Sequence, residues 1–264
     1  MTTQLTSPQI RARKGATPLV MVTAYDEPGG RLASAAGVDI ILVGDSVGNV
    51  VMGHENTLRV TVDDIAHHTA AVCAAQPSAH VVADMPWMSY HVSREETVRN
   101  AAQLIRAGAH SVKLEGGSLR VPHIEALVAA EIPVMGHLGL TPQSVLAFGG
   151  FKVQGKTAAA ADQLISDAQA LQQAGASMLV LEAIPSTLGS AVTNAVNIPT
   201  IGIGAGIECS GQVLVMHDML GVFPGHRPKF VRNFMDGQTS VQAAITAFVE
   251  AVKTAQFPAP EHCF

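Results

Sequence analysis

Four acidic residues stand at the ends of apolar runs, and their placement is the first sign of chemistry. Val38-Asp39-Ile40-Ile41-Leu42-Val43 runs into Gly44-Asp45-Ser46, Val81-Val82-Ala83 ends in Asp84, Ser111-Val112-Lys113-Leu114 in Glu115, and Met178-Leu179-Val180-Leu181 in Glu182. Runs that are rich in β-branched residues and do not alternate read as strands buried on both faces. A carboxylate at such a tip is not core packing. It caps the next helix, pairs with a cation, or does chemistry.

If the tips of successive strands are neighbours, Asp45, Asp84 and Glu115 converge. Three unneutralised carboxylates in one place repel each other, and a divalent cation resolves that conflict. An all-oxygen donor set suits Mg2+. Lys113 lies two residues before Glu115 and shares its face of the strand. It suits a substrate carboxylate, a Schiff-base amine, or charge balance for the acids. Glu182 follows three apolar residues, so it is either a partly desolvated base or an acid that caps the helix after Pro185. His137 ends a further strand, placed to bond a substrate or a metal-bound water, or to serve only the fold. Neither His-Glu-x-x-His nor Cys-x-x-Cys occurs, which argues against zinc. Gly202-Ile203-Gly204-Ala205-Gly206 lacks the third glycine of a dinucleotide loop, because Ile207 occupies that place. A tight turn that admits close backbone approach is the preferred reading.

Eight strands are expected to position these groups, over 18–24, 38–43, 80–84, 110–115, 132–137, 177–182, 198–203 and 213–217. Helices are expected between them. Thr61-Val62-Asp63-Asp64 and Ser93-Arg94-Glu95-Glu96 read as capping boxes that open two of these helices. The inner faces are read as Ile65, Thr69 and Val72; Val98, Ala102 and Ile105; Leu164, Ala168 and Leu171; and, on the last helix, Val241, Ile245, Phe248 and Val252. Strand–helix alternation fits an open doubly wound sheet as well as a closed barrel. The length and the acids at strand ends favour an α/β fold of the (β/α)8 TIM-barrel type, whose C-terminal rim carries catalytic side chains. All 264 residues are assigned to that one domain, with residues 1–15 as a loosely held arm. The long connections 44–60 and 138–156 read as binding loops or a lid. The tail from Phe257 to Pro260 is expected to be free to dock on a neighbour.

Hydrophobic content of 48% with 14% charged residues describes a soluble chain with a large core. A net charge of −5 offers no pull toward nucleic acid. Cys73, Cys209 and Cys263 form no disulfide framework. No apolar run is long enough for a membrane span and the first residues show no secretory h-region, so the expected location is cytoplasmic.

Thr23-Ala24-Tyr25-Asp26, Val43-Gly44-Asp45-Ser46, Ala83-Asp84-Met85-Pro86, Val112-Lys113-Leu114-Glu115-Gly116-Gly117, Gly136-His137-Leu138-Gly139-Leu140-Thr141-Pro142-Gln143 and the Gly202–Gly206 stretch together resemble the ketopantoate hydroxymethyltransferase family. The likeness runs in order from about residue 18 to the C-terminus. It implies a barrel related to the phosphoenolpyruvate/pyruvate superfamily. Mg2+ would be held by Asp45 and Asp84 with Glu115 nearby. Ser46 and Lys113, with His137, would contact the oxo-acid, and Glu182 would be the base. The implied reaction transfers a hydroxymethyl group from methylenetetrahydrofolate to 3-methyl-2-oxobutanoate through a Mg-stabilised enolate, in pantothenate biosynthesis. The family usually assembles as a decamer. A Mg2+-dependent lyase of the same superfamily is the alternative reading.

Overall fold

The computed structural model describes every residue except 1–3, 223 and 226. Eight parallel strands close into a barrel in chain order: β1 Leu19–Thr23, β2 Ile40–Val43, β3 His80–Asp84, β4 Ser111–Glu115, β5 Val134–Gly139, β6 Met178–Glu182, β7 Thr200–Ile203 and β8 Gly211–Leu214. β8 pairs back onto β1, with Leu19 opposite Gly211 and Val22 opposite Leu214. The strands are buried almost throughout, which is why their sequences run apolar without alternating.

Side chains of one parity point into the barrel. Met21, Leu42, Val82, Met135 and Val180 form an apolar plug there, while the other parity packs against the outer helices. On three strands the inward series changes character toward the C-terminal rim. Val82 gives way to Asp84 on β3, Met135 to His137 on β5, and Val180 to Glu182 on β6. The barrel is thus apolar below and charged above.

The chain departs from the sequence reading around β8, and β5 ends at Gly139 rather than at His137. β8 is Gly211–Leu214 and not 213–217, since Met216–Met219 turns into a short helix whose first N–H donates to Thr23 Oγ1 (3.0 Å). No helix separates β7 from β8: residues 204–210 return directly, as a tight turn with Gly204 at φ +63° and Gly206 at φ +94°. The close-approach reading of this stretch holds. A side chain at Gly189 would meet the Ala205 carbonyl oxygen at 1.9 Å.

Thr61 forms the full capping box, whereas Ser93 caps helix Arg94–Arg106 by accepting the Glu96 N–H. That helix buries Thr97, Ala101 and Leu104, one residue out of step with the expected face; Val98 and Ile105 pack on its flank. Helix Ala158–Gln173 buries Leu164, Ala168 and Leu171 as expected. Helix Val241–Lys253 buries Ile245, Phe248 and Val252, while Val241 in its first turn is exposed. The tail does not project. Phe257 is buried in edge-to-face contact with Phe234 and Phe248 of the same chain, a favoured aromatic geometry.

The N-terminal arm is a plug. Residues Ser7–Arg11 form a helix that presses a fully buried Ile10 into the lower mouth of the barrel, among the apolar residues of its interior. The Leu5 N–H donates to the Ser78 carbonyl (3.1 Å), the Leu5 carbonyl meets His80 Nδ1 (3.0 Å), and Arg13 pairs with Asp39 (3.6 Å). Ile10→Ala is expected to cost about 2–5 kcal/mol through the cavity it leaves, read from the urea midpoint. A cost below about 0.5 kcal/mol, the scale of a surface change, would mean the helix does not seal the barrel.

Candidate active site

Strand register builds the site. Asp84 lies opposite Lys113 across β3 and β4, Glu115 opposite His137 across β4 and β5, and Gly139 opposite Glu182 across β5 and β6. Lys113 Nζ stands 2.8 Å from Asp84 Oδ1 and 3.3 Å from His137 Nδ1. His137 Nδ1 is 3.1 Å from Glu115 Oε1, and its Nε2 is 3.2 Å from Glu182 Oε2. Asp45, just past the end of β2, donates its N–H to Asp84 Oδ2 (2.9 Å) and takes a hydrogen bond from Gln143 Nε2 on Oδ2 (2.8 Å). Ser46 follows, its hydroxyl 2.8 Å from that of Tyr25. All seven expected site residues therefore gather at the C-terminal rim.

Several alternatives left open by the sequence close here. Helix Ser186–Ala195 has Pro185 at its N-cap and no side-chain cap, so Glu182 does not cap it. Helix Val47–Val50 likewise takes no side-chain cap. Lys113 does balance charge, and it is held protonated: burial alone would strip its proton, but Asp84, Glu115 and Asp45 outweigh that. An ammonium so held is no Schiff-base nucleophile.

Asp45, Asp84 and Glu115 meet at the rim but not symmetrically. Asp45 and Asp84 adjoin, but both Glu115 oxygens are engaged, Oε1 by His137 and Oε2 by the Gln143 N–H (3.0 Å). Among the described residues no three His, Cys, Asp or Glu side chains form a ready-made metal cage. Glu115 also anchors His137. Burial and the Lys113 charge oppose protonation of that imidazole, yet Glu115 and Glu182 lift it to about 9.

The donor set fits a divalent cation all the same. Burial pushes Asp45 up to about 8, aided by the charges of Asp84 and Glu115 and opposed by Lys113 and Gln143. Asp84 Oδ1 is buried without an aligned hydrogen bond despite its ammonium neighbour. Such a pair of hard, underneutralised oxygens favours a Mg2+-like ion. It also sets a pH dependence. A carboxylate whose folded pKa is raised from 3.8 to about 8 makes the metal-free fold lose stability as pH climbs through that window. His137, raised from 6.5 to about 9, adds stability at low pH that is lost over the same upper range. Without divalent cation, the melting temperature should fall between pH 6 and pH 8.5, and millimolar Mg2+ should flatten the fall. A rise with pH would contradict this electrostatic account.

Tyr90 and Gln143 belong to the site and were not singled out from the sequence. Gln143 was visible only as the last residue of the His137 motif; Tyr90 sits in irregular chain six residues past Asp84, with no periodic signal.

Comparison with known proteins matches this architecture. A family model described as ketopantoate hydroxymethyltransferase matches residues 4–260. The chain belongs to that family. Burkholderia cenocepacia 3-methyl-2-oxobutanoate hydroxymethyltransferase 1 is 55% identical over 98% of this chain and 96% of its own length. The Paraburkholderia phytofirmans 3-methyl-2-oxobutanoate hydroxymethyltransferase is 54% identical over the same shares. Like other members of the ketopantoate hydroxymethyltransferase family, the chain is a transferase. Among solved structures, a 2,3-dimethylmalate lyase of the PEP mutase/isocitrate lyase superfamily superposes with TM-score 0.62 at 17% identity, covering 97% of this chain and 100% of the lyase. A phosphonopyruvate hydrolase in complex with oxalate and Mg2+ gives TM-score 0.62 at 15% identity, covering 96% and 99%. These two share the barrel fold. No helix among the described residues is long and apolar enough to cross a membrane.

Proposed function

We propose that the chain transfers a hydroxymethyl group from methylenetetrahydrofolate to 3-methyl-2-oxobutanoate, giving 2-dehydropantoate. The observation that carries this reading is the Asp84–Lys113–His137–Glu182 series, which sets an acid–cation pair and a carboxylate base at opposite ends of one buried rim. Asp45 and Asp84 would hold Mg2+, with Glu115 behind them. Bound there, the ion supplies Lewis-acid polarisation of the 2-oxo acid.

The residues of the chain do the rest. Lys113 offsets the negative charge of the substrate carboxylate, and Ser46, oriented by Tyr25, donates a hydrogen bond to it. Glu182 removes the C3 proton, leaving C3 nucleophilic. His137 is held in place by Glu115, and its Nε2, 3.2 Å from Glu182 Oε2 but without an aligned hydrogen bond, would donate to the substrate. C3 then bonds to the one-carbon unit as one of its two carbon–nitrogen bonds to the folate breaks, and a water oxygen replaces the second nitrogen. The two folate nitrogens take up the proton lost from C3 and one from the water. The folate would approach over the connections 44–60 and 138–156. Family membership supports the remaining parts of the reading, a homodecamer working in the cytoplasm.

Product formation from 3-methyl-2-oxobutanoate, followed by NMR with and without methylenetetrahydrofolate, tests it. Folate-dependent gain of one carbon is expected. Cleavage of the oxo acid without folate would replace this reading with a lyase.

A further inference from the structure

Asp45 has a difficulty that the sheet does not solve. It lies beyond Val43, the last residue of β2, so no ladder hydrogen bond of the barrel orients it. Its carboxylate is nevertheless buried and takes one strong bond, from Gln143. Gln143 comes from a different part of the chain, the connection after β5, and is itself 5% exposed.

The amide of Gln143 is fully used. Its Nε2 donates to Asp45 Oδ2 (2.8 Å) and to the Met85 carbonyl (3.0 Å), which accounts for both hydrogens. Its Oε1 accepts from the Tyr90 hydroxyl (2.6 Å). Its backbone N–H donates to Glu115 Oε2 (3.0 Å). Tyr90, 1% exposed, closes the circuit by accepting the Glu115 N–H (3.2 Å) on the same oxygen that donates to Gln143. One side chain from beyond β5 thus ties together the tips of β2, β3 and β4. The orientation of the amide follows from chemistry. Asp45 and the Met85 carbonyl are both acceptors, so only Nε2 can face them, and only a donor such as the Tyr90 hydroxyl can meet Oε1. The Arg120 guanidinium lies 5.6 Å over the Tyr90 ring and holds that ring from outside by a cation–π contact.

We propose that Gln143, locked in one amide orientation by Tyr90, is a positioning residue that aims the Asp45 carboxylate and thereby sets the divalent-cation affinity of the Asp45–Asp84 pair. The inference rests on the reading of that pair as a Mg2+ site. Gln143 occupies Asp45 Oδ2 and leaves Oδ1, which no hydrogen bond among the described residues engages, for the cation. Without the Tyr90 hydroxyl, Oε1 is buried unsatisfied and the amide loses the contact that fixes its rotation, so Nε2 no longer holds the carboxylate in one aim. Outer partners of this kind tune affinity by fixing the geometry of the ligand.

The test is Mn2+ binding by the full-length protein without substrates, followed by the EPR signal of free Mn2+, with melting temperatures recorded alongside. Tyr90→Phe removes one oxygen, and Gln143→Met keeps the volume while removing the amide. Thr193→Val is the comparison, because its buried hydroxyl bonds Thr200 Oγ1 (2.7 Å) far from the rim. The expected result is about 10–100-fold weaker Mn2+ binding in Tyr90→Phe and Gln143→Met, with wild-type affinity in Thr193→Val. Turnover lost in the first two should return as Mg2+ is raised. Wild-type affinity in both rim variants would overturn the positioning role and leave the metal site standing. Equal weakening in Thr193→Val would overturn it too, by tracing the effect to fold stability. Absence of saturable Mn2+ binding in the wild type would overturn the reading of the Asp45–Asp84 pair itself.

Discussion

Glu182→Gln should lower turnover by about 10²–10⁴-fold, the range for loss of a general base, while metal affinity and folding stay near wild type. The substitution is nearly isosteric, and Glu182 keeps some solvent access at 15% side-chain exposure, so the amide can be accommodated at the end of β6. What disappears is the ability to accept a proton. Measured kcat for product formation should fall, whereas Mn2+ binding at Asp45 and Asp84 should not. Retention of wild-type kcat would remove Glu182 from the chemistry and leave His137 as the group to examine.

Lys113→Met is the second large effect, and it falls on stability. Lys113 is 4% exposed and is the ammonium that faces Asp84, Glu115 and Asp45 at once. Its loss leaves Asp84 buried opposite no cation, and breaking such a pair costs about 3–5 kcal/mol. The deficit should shrink at pH 5. With its cation gone, Asp84 binds a proton more tightly folded than unfolded, so stability contributed by protonation is present at low pH and lost as pH rises. Mg2+ should also recover part of the loss by supplying positive charge to the same oxygens. Chemical denaturation at pH 5 and pH 8, with and without Mg2+, reads all of this. A variant as stable as wild type at pH 8 without metal would show that the rim acids do not depend on Lys113.

The strands were legible because both faces are buried, and the apolar runs at 80–84, 110–115 and 177–182 match β3, β4 and β6 to within a residue. β8 was not. Val213-Leu214-Val215-Met216-His217 has the composition of a strand, but the ladder to β1 begins at Gly211 and the chain turns at Val215 to follow the rim. Helix Arg94–Arg106 was read one residue out of phase for a physical reason. Thr97 can face the core because its hydroxyl donates to the Ser93 carbonyl (2.7 Å). A residue that counts as polar in the pattern thus occupies an apolar position. The plug formed by residues 7–11 was missed because five residues carrying one buried isoleucine give no periodicity.

At the site the rule that acids close the strands found Asp84, Glu115 and Glu182, and Asp45 just beyond one. The rule does not say what such an acid meets, and Glu115 meets an imidazole, His137. Nothing in spacing announced Tyr90 and Gln143. Tyr90 lies in irregular chain and Gln143 in a single 3-10 turn, Pro142–Ser144, and their importance comes from a hydrogen bond across 53 residues of sequence, visible only once the barrel brings the tips together.

The central claim is that this rim removes the C3 proton of a 2-oxo acid with the help of a divalent cation. The most direct measurement is proton NMR of 3-methyl-2-oxobutanoate with the wild-type protein and Mg2+ in D2O, following the C3 methine signal in the absence of folate. The signal should disappear with Mg2+ and persist when the ion is chelated. Persistence of the signal with Mg2+ present, both before and after folate is added, would contradict the account.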